Sequence, residues 1–286
     1  ASGLAREKDT IVATFGDVIR VPGTDSSLQK EKAAGEDIRI VYSAADAVDI
    51  ARQTPDKTVV FLGVGFETTA PTIAASVLAA QEAGIENFTV FAMHKTVPPA
   101  LEALMDVEAV QIDGFILPGH VSVIIGTDGY KDFFDKYGVP CAVAGFEPVD
   151  ILRAIADLSQ MLCENTPRLK NGYPRAVTAQ GNPGARQVME TVFETSDANW
   201  RGLGRIADSG LKFRETFRAF DAAEKFNIVV KDAAPPPGCA CGDILTGKKT
   251  PPECRLYKSA CTPMEPVGPC MVSTEGTCAA YFKYER

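Results

Sequence analysis

The stretch TVVFLGVGFETTAP, residues 58–71, determines the fold class of the chain. Its first seven residues form an almost continuous apolar run followed by glycine, which is typical of a β-strand buried on both faces. An alanine-rich segment at 71–83 is predicted to be helical, and residues 88–93 form a second strand-like run. Strands and helices that alternate at these lengths predict parallel sheets covered by helices on both faces.

The same alternation extends to both sides of this stretch. Further strands are predicted at residues 11–15, 38–42, 114–117 and 139–145. Further helices are predicted at residues 44–53, 99–105, 149–162, 187–193 and 213–226. Ser43, a residue type favoured at N-caps, precedes the first of these helices, and Trp200 falls in an irregular loop between the last two.

A short repeated motif suggests two similar units. Gly65-Phe66-Glu67 and Gly145-Phe146-Glu147 each follow a predicted buried strand and open a helix. Either duplication or chance explains a match of three residues. Under duplication, the fold class is α/β with two parallel-sheet units facing a cleft.

Both histidines of the chain, His94 and His120, follow predicted strands, as does Glu67. In α/β proteins ligands bind at the carboxyl ends of the strands, and histidine binds metals or relays protons. Structural histidines are the alternative, and Glu67 and Glu147 are equally explained as acids at helix starts. One hypothesis is therefore a small-molecule enzyme that uses His94, His120 and Glu67.

Charge and hydropathy exclude several classes of protein. The 286 residues carry 29 Lys and Arg against 37 Asp and Glu, a net charge of −8, without a basic cluster. Nucleic acid and anionic membrane surfaces are therefore not expected as partners. No apolar run reaches the ~20 residues of a membrane span, and no Walker, GxGxxG or GxSxG motif occurs. We expect a soluble cytoplasmic protein.

The C-terminal stretch GCACGDILTGKKTPPECRLYKSACTPMEPVGPCMVSTEGTCAAYFKY, residues 238–284, holds six of the eight cysteines. They are Cys239, Cys241, Cys254, Cys261, Cys270 and Cys278. The stretch is rich in proline and poor in large aliphatic side chains, so it needs cross-links to become ordered. Cys141 and Cys163 lie in apolar strand and helix patterns and are predicted to be buried packing residues.

Three kinds of cross-link remain open at this point. Disulfides are typical of secreted proteins, and the chain shows no apolar signal segment. Zinc ribbons use CxxC pairs, and none occurs here. Irregularly spaced thiolates flanked by proline and glycine suit a cubane iron–sulfur cluster. The pattern favours a cluster, with zinc and disulfides as alternatives.

Six long motifs together resemble the HypD family of hydrogenase maturation proteins. They are TFGDVIRVPG at 14–23, GFETTAP at 65–71, IDGFILPGHVSVIIGTDGY at 112–130, VAGFEPVDIL at 143–152, NWRGLGRIADSGL at 199–211 and GPCMVSTEGTCAAYFKY at 268–284. The resemblance covers the chain from end to end. It implies two α/β domains that enclose a cleft and a small, irregular, cysteine-rich C-terminal part that carries a 4Fe-4S cluster.

The resemblance also implies a function. HypD proteins are iron–sulfur scaffolds that assemble the transient Fe(CN)2CO unit of [NiFe]-hydrogenase together with HypC and HypE by thiol redox chemistry. The hydrogenase large-subunit precursor is a further partner through HypC. Such a protein is an assembly scaffold with a redox-active cluster rather than a turnover enzyme. The alternative function is a non-redox interaction module stapled by zinc.

Carried over residue by residue, the cluster cysteines of the family fall on Cys241, Cys254, Cys261 and Cys278. Cys239 and Cys270 are then expected to form a redox-active pair beside the cluster, unless Cys239 replaces Cys241 as a ligand. His120 and Glu275 match family motifs that line functional regions. They are expected to share the thiol chemistry with the Cys239–Cys270 pair.

Two segments of the family, a CGGHTH-like one and GPGCPVC, are absent before the TFGD motif, so the chain is interpreted as a fragment. Because the iron-holding cysteine of the family lies there, we expect the chain to bind the cluster but not to retain the Fe(CN)2CO unit. Three domains are expected. They are an N-terminally incomplete α/β domain at 1–110, a second α/β domain with following helices at 111–230, and the iron–sulfur region at 231–286.

Overall fold

The computed structural model describes residues 1–23, 26–229 and 236–285, and its fold is α/β, as predicted. The strands are β1 (Thr10–Thr14), β2 (Ile38–Ile40), β3 (Thr58–Gly63), β4 (Phe88–Ala92), β5 (Phe115–Pro118), β6 (Cys141–Ala144), β7 (Leu169–Asn171), β8 (Phe193–Trp200) and β9 (Gly204–Phe213). The helices are α1 (Ser2–Ala5), α2 (Leu28–Ala33), α3 (Ala44–Gln53), α4 (Ala70–Glu82), α5 (Val97–Met105), α6 (Gly119–Ile125), α7 (Lys131–Tyr137), α8 (Pro148–Glu164), α9 (Pro183–Val192), α10 (Ala222–Lys225), α11 (Cys241–Leu245), α12 (Pro269–Val272) and α13 (Thr277–Tyr284).

The first sheet is parallel and has the strand order β2-β1-β3-β4. Val60 of β3 lies at its centre, paired with Val12 of β1 on one side and with Thr89 of β4 on the other. All of β1 and all of β3 after Thr58 are buried, because the sheet is covered on both faces. This is the burial that the apolar run at 58–64 predicts.

Helices on the two faces of this sheet form two separate apolar cores. One core holds α3 and α4, and the other holds α1, α2 and α10. α3 begins at the predicted N-cap: the N–H of Asp46 donates to Oγ of Ser43 over 3.2 Å, and the N–H of Ser43 donates to Oδ2 of Asp46 over 3.0 Å. This reciprocal pair satisfies two amide groups that the first helical turn leaves unbonded.

The second sheet is parallel, with the order β5-β6-β7. Its core contains Leu117, Tyr130, Phe133 and Val143. The two GFE motifs occupy corresponding places, because one follows β3 and the other follows β6, and each of these is an inner strand of its sheet. His120, in the first turn of α6, follows the carboxyl end of β5, and Phe146 follows that of β6.

The chain after β7 returns to the first sheet instead of continuing the second. Residues 193–213 form the antiparallel hairpin β8–β9, where the sequence predicts an irregular loop. Phe193, Leu211 and Phe213 of this hairpin pack in the core that contains α3 and α4. The predicted helix at 213–226 is divided into a 3-10 turn, Glu215–Phe220, and the short α10.

Residues 236–285, here termed the cysteine lobe, consist of short helices and turns. Its core is made mainly of cysteines, with Ile244 and Met271. The N–H of Gln111 donates to the carbonyl oxygen of Thr246 over 3.0 Å, which ties the lobe to the loop before β5. The predicted boundary at 230/231 lies outside the described residues, and the three-domain division stays a prediction. In the described parts of the chain, no helix is long and apolar enough to cross a bilayer.

Candidate functional site

All six cysteines of the cysteine lobe line one cavity. Cys241 opens α11, Cys270 lies in α12, and Cys278 lies in α13. Cys254 follows the 3-10 turn Pro251–Glu253, and Cys239 and Cys261 lie in connecting segments. All but Cys239 are buried. The cysteines singled out in the sequence therefore meet at one place.

Local hydrogen bonds fix the segment that presents Cys254. The N–H of Thr250 donates to Oε2 of Glu253 over 2.7 Å, and the hydroxyl of Thr250 donates to the same oxygen over 2.9 Å. The turn between them contains Pro251 at its first position, where the missing N–H costs no hydrogen bond. The N–H of Cys254 then donates to the carbonyl oxygen of Pro251 over 3.0 Å, which fixes where the cysteine leaves the turn.

Two residues just before α12 shape the cavity around sulfur. The N–H of Val267 donates to Sγ of Cys261 over 3.3 Å. A Cβ atom on Gly268 would lie 2.6 Å from Sγ of Cys239, closer than van der Waals contact allows. A larger residue at 268 would therefore have to displace Sγ of Cys239. The sequence reasoning missed both roles, although a glycine directly before Pro269-Cys270 was a visible signal.

A disulfide joins Cys241 to Cys270, whose Cα atoms are 6.3 Å apart. Cys239, Cys254, Cys261 and Cys278 remain free thiols. Cys270 thus pairs with Cys241, whereas the sequence predicts a pair with Cys239. A cysteine in a disulfide has no thiolate to offer a metal. The ligand set stays a prediction, with Cys239 as the alternative to Cys241.

Two of the free thiols of the cavity, those of Cys278 and Cys239, have raised pKa values. Burial, together with the neighbouring sulfurs of Cys254, Cys261 and Cys239, raises the pKa of Cys278 to about 11. Burial also raises the pKa of Cys239. A positively charged metal centre would favour the thiolates, because deprotonation and metal binding are coupled.

The remaining walls of the cavity are apolar, with Ile244, Leu256 and Met271 beside the cysteines. Such a wall keeps water from a metal centre and lowers the local dielectric. Within the described residues, no three His, Cys, Asp or Glu side chains surround the position of one metal ion. In a cubane each cysteine binds a different iron, so the four thiolates do not converge on one point. Soft thiolates in an apolar pocket fit an iron–sulfur cluster.

His120 and Glu275 are brought near each other at the edge of the cysteine lobe. His120 lies in the first turn of α6, and its ring contacts that of Phe146, with centroids 4.9 Å apart. Partial burial lowers the pKa of His120, and the carboxylate of Glu275 acts in the opposite direction. Glu275 is exposed and lies between Cys270 and Cys278 in the sequence.

Glu67 and His94 are buried in the first α/β unit. Oε1 of Glu67 accepts the N–H of Val97 over 2.8 Å, while its Oε2 has no hydrogen-bond partner. Burial raises the pKa of Glu67 to about 7. Both ring nitrogens of His94 lack partners, its ring lies 5.2 Å from that of Phe193, and burial lowers its pKa to about 4. Neither residue lines the cysteine cavity, and the enzyme hypothesis with Glu67, His94 and His120 stays a prediction.

The two cysteines outside the lobe differ in exposure. Cys141 lies in β6 and is buried, as predicted, and burial raises its pKa to about 12. Cys163 is exposed near the end of α8, which corrects the prediction of a buried residue. The helical pattern gave a wrong prediction for Cys163 because α8 also exposes Leu152 and Leu162. An apolar residue in this helix is therefore not always on its buried face.

Sequence comparison with known proteins shows the family of the chain. The HypD family model, described as the hydrogenase formation hypA family, matches residues 1–285. The hydrogenase maturation factor HypD of Rhodobacter capsulatus is 43% identical over 289 residues, covering 98% of this chain and 76% of that protein. HypD of Cupriavidus necator is 43% identical, with 99% and 77% covered, and HypD of Azotobacter vinelandii is 41% identical, with 99% and 76% covered. The chain therefore belongs to the HypD family of hydrogenase maturation factors.

Proposed function

We propose that the cysteine lobe holds a 4Fe-4S cluster through Cys239, Cys254, Cys261 and Cys278, and that the chain is an iron–sulfur scaffold of [NiFe]-hydrogenase maturation. One observation carries the proposal: the Cys241–Cys270 disulfide leaves four free thiols in a cavity lined by six cysteines. Four thiolates are the ligand number of a 4Fe-4S cluster.

The surroundings of these thiols support the same conclusion. The N–H of Val267 already donates to Sγ of Cys261, and such hydrogen bonds to sulfur help to set the potential of a cluster. Ile244, Leu256 and Met271 limit the access of water. The cavity thus supplies both the ligands and the outer shell that a redox cluster needs.

The disulfide gives the lobe a redox function. A bound cluster would supply electrons one at a time from a low-potential one-electron donor protein. Opening Cys241–Cys270 breaks one S–S bond, takes up two electrons and two protons, and yields two thiols. The charge of Glu275 acts on His120, and we assign these two residues the supply of those protons.

The role in maturation follows from the family. The relatives are hydrogenase maturation factors, and we propose that this chain acts with HypC and HypE, and through HypC with the hydrogenase large-subunit precursor, on Fe(CN)2CO as cargo. It then works as a cytoplasmic assembly scaffold rather than as a turnover enzyme. Co-elution with purified HypC tests the first of these contacts, and separate elution of the two proteins at micromolar concentration would contradict it.

A zinc-stapled interaction module is the second candidate, because four free thiols are also the ligand number of a structural zinc site. Anaerobic reconstitution with iron and sulfide separates the two functions. We expect a brown protein with broad absorption in the blue and about four irons per chain. A colourless protein that retains one zinc through purification would favour the alternative, since zinc has no such absorption.

A further inference from the structure

Tyr257 is built into the frame of the cysteine cavity. It lies between Cys254 and Cys261 in sequence, its N–H donates to the carbonyl oxygen of Cys254 over 3.0 Å, and its backbone forms a β-bridge with Cys261. Its side chain lines the cavity together with the six cysteines. The backbone of Tyr257 is therefore fixed by the same segment that presents two of the four free thiols.

The hydroxyl of Tyr257 is buried and has no hydrogen-bond partner. A buried donor without an acceptor is unfavourable, so native proteins contain few of them. Among the described residues, the other buried side-chain atoms without partners belong to Thr14, Glu67 and His94, which lie away from the cysteine lobe. A ligand that brings a hydrogen-bond acceptor into the cavity would supply the partner that the Tyr257 hydroxyl lacks.

The ring of Tyr257 is oriented by α13. It meets Phe282 edge-on, with centroids 6.4 Å apart. Cys278 lies four residues before Phe282 on α13, so the two residues share one face of that helix. Among the described residues that line the cavity, the only side-chain acceptors besides Tyr257 itself are sulfur atoms. A neutral thiol accepts weakly, whereas an anionic thiolate on iron accepts strongly.

We propose that the Tyr257 hydroxyl donates a hydrogen bond to the thiolate of Cys278 when the cluster is bound, and that this bond raises the reduction potential of the cluster. The inference rests on the proposed function, because it requires a cluster in the cavity. One-electron reduction adds negative charge to the iron–sulfur unit, so a donor stabilises the reduced form more than the oxidised form. No bond of Tyr257 is broken in this step, and its proton stays on oxygen.

The test compares Tyr257→Phe with Tyr284→Phe after anaerobic reconstitution with iron and sulfide. Both changes remove one phenol oxygen, but Tyr284 is 71% exposed and does not line the cavity. In Tyr257→Phe we expect unchanged iron content and about a tenfold lower ratio of reduced to oxidised cluster at a fixed ambient potential. This corresponds to a shift of about −59 mV for a one-electron couple. Tyr284→Phe should match the wild type.

The possible outcomes separate this inference from the proposed function. A wild-type chain that takes up no cluster contradicts the proposed function itself. A wild-type cluster whose potential is unchanged in Tyr257→Phe overturns the role of Tyr257. Loss of iron in that variant overturns it as well, because a single hydrogen bond tunes the iron–sulfur bonds but does not hold them. Transfer of the wild-type chain into D2O should shift the iron–thiolate Raman bands. The shift should be smaller in Tyr257→Phe, which has no hydroxyl to exchange.

Discussion

Cys241 and Cys270 are joined across the cavity that the other four cysteines of the lobe also line. This bond connects the first residue of α11 to α12 and removes two sulfurs from the set available to a metal. The remaining thiols belong to Cys239, Cys254, Cys261 and Cys278. In the proposed function, metal binding and thiol redox chemistry therefore belong to different cysteines of one cavity.

The disulfide predicts a definite alkylation pattern. In the air-oxidised, metal-free chain, denatured without reductant, iodoacetamide should label six of the eight cysteines and leave Cys241 and Cys270 unlabelled. After reduction all eight should be labelled, because both sulfurs become thiols. Peptide mass spectrometry reads out each position. Protection of Cys239 together with Cys270 would instead support the pair expected from the sequence.

Gly268 predicts a steric effect on cluster binding. In Gly268→Ala, the new Cβ displaces Sγ of Cys239, which would lie 2.6 Å away, so we expect less than half of the wild-type iron after reconstitution. Gly184→Ala is the matched control, since Gly184 lies in α9 with only a van der Waals contact at 3.5 Å and alanine favours helix. Full iron content in Gly268→Ala would show that Cys239 has room to move and still bind.

The two histidines predict a simple NMR titration of the metal-free chain. Burial lowers the pKa of His94 to about 4, so His94 should stay neutral at pH 6 and above, and partial burial lowers the pKa of His120. The carboxylate of Glu275 stabilises the charged imidazole of His120 and thereby counteracts the effect of burial. Glu275→Gln should therefore lower the pKa of His120 further. An unchanged titration curve in the variant would mean that the two side chains do not interact in solution.

Glu67 predicts a dependence of stability on pH. Burial raises its pKa from 4.5 to about 7, so between these pH values the folded chain keeps a proton that the unfolded chain has lost. The free energy of unfolding consequently falls as the pH rises through this interval, by at most about 3 kcal/mol. Glu67→Gln keeps an acceptor for the N–H of Val97 but carries no charge.

Thermal unfolding of Glu67→Gln checks this directly. The variant should match the wild type near pH 4.5 and should unfold at a higher temperature at pH 8. Glu82→Gln, which changes an exposed carboxylate at the end of α4, is the control and should follow the wild type at both values. Equal melting temperatures of Glu67→Gln and wild type at pH 8 would show that Glu67 is not held in a dry environment.

The sequence predicted the parallel sheets well because buried parallel strands are recognisable locally. The run that became β3 is apolar along its whole length, and Ser43 with Asp46 forms the cap that a helix start requires. The hairpin β8–β9 was missed because its segment FETSDANW is mostly polar. Its burial depends on contacts of Phe193 and Ala198 with distant parts of the chain, which no local pattern reveals.

The site was predictable in position but not in its internal assignment. Six clustered cysteines predict a cross-linked lobe. They do not predict the separate roles of Cys239 and Cys241, which are separated by one residue and have the same chemistry. Their roles differ because Cys241 opens α11 within reach of Cys270, while Cys239 precedes the helix and lies against Gly268. The spacing of the cysteines along the chain does not predict which of the two lies within reach of Cys270.

The iron content of two neighbouring cysteine variants tests the central claim most directly. Cys239→Ser and Cys241→Ser should be reconstituted side by side with iron and sulfide, without oxygen, and analysed for iron per chain and for absorption in the blue. We predict that Cys241→Ser keeps about four irons, because it removes only a disulfide partner, and that Cys239→Ser loses most of them, because it removes a ligand. A full cluster in Cys239→Ser together with its loss in Cys241→Ser would contradict the ligand assignment.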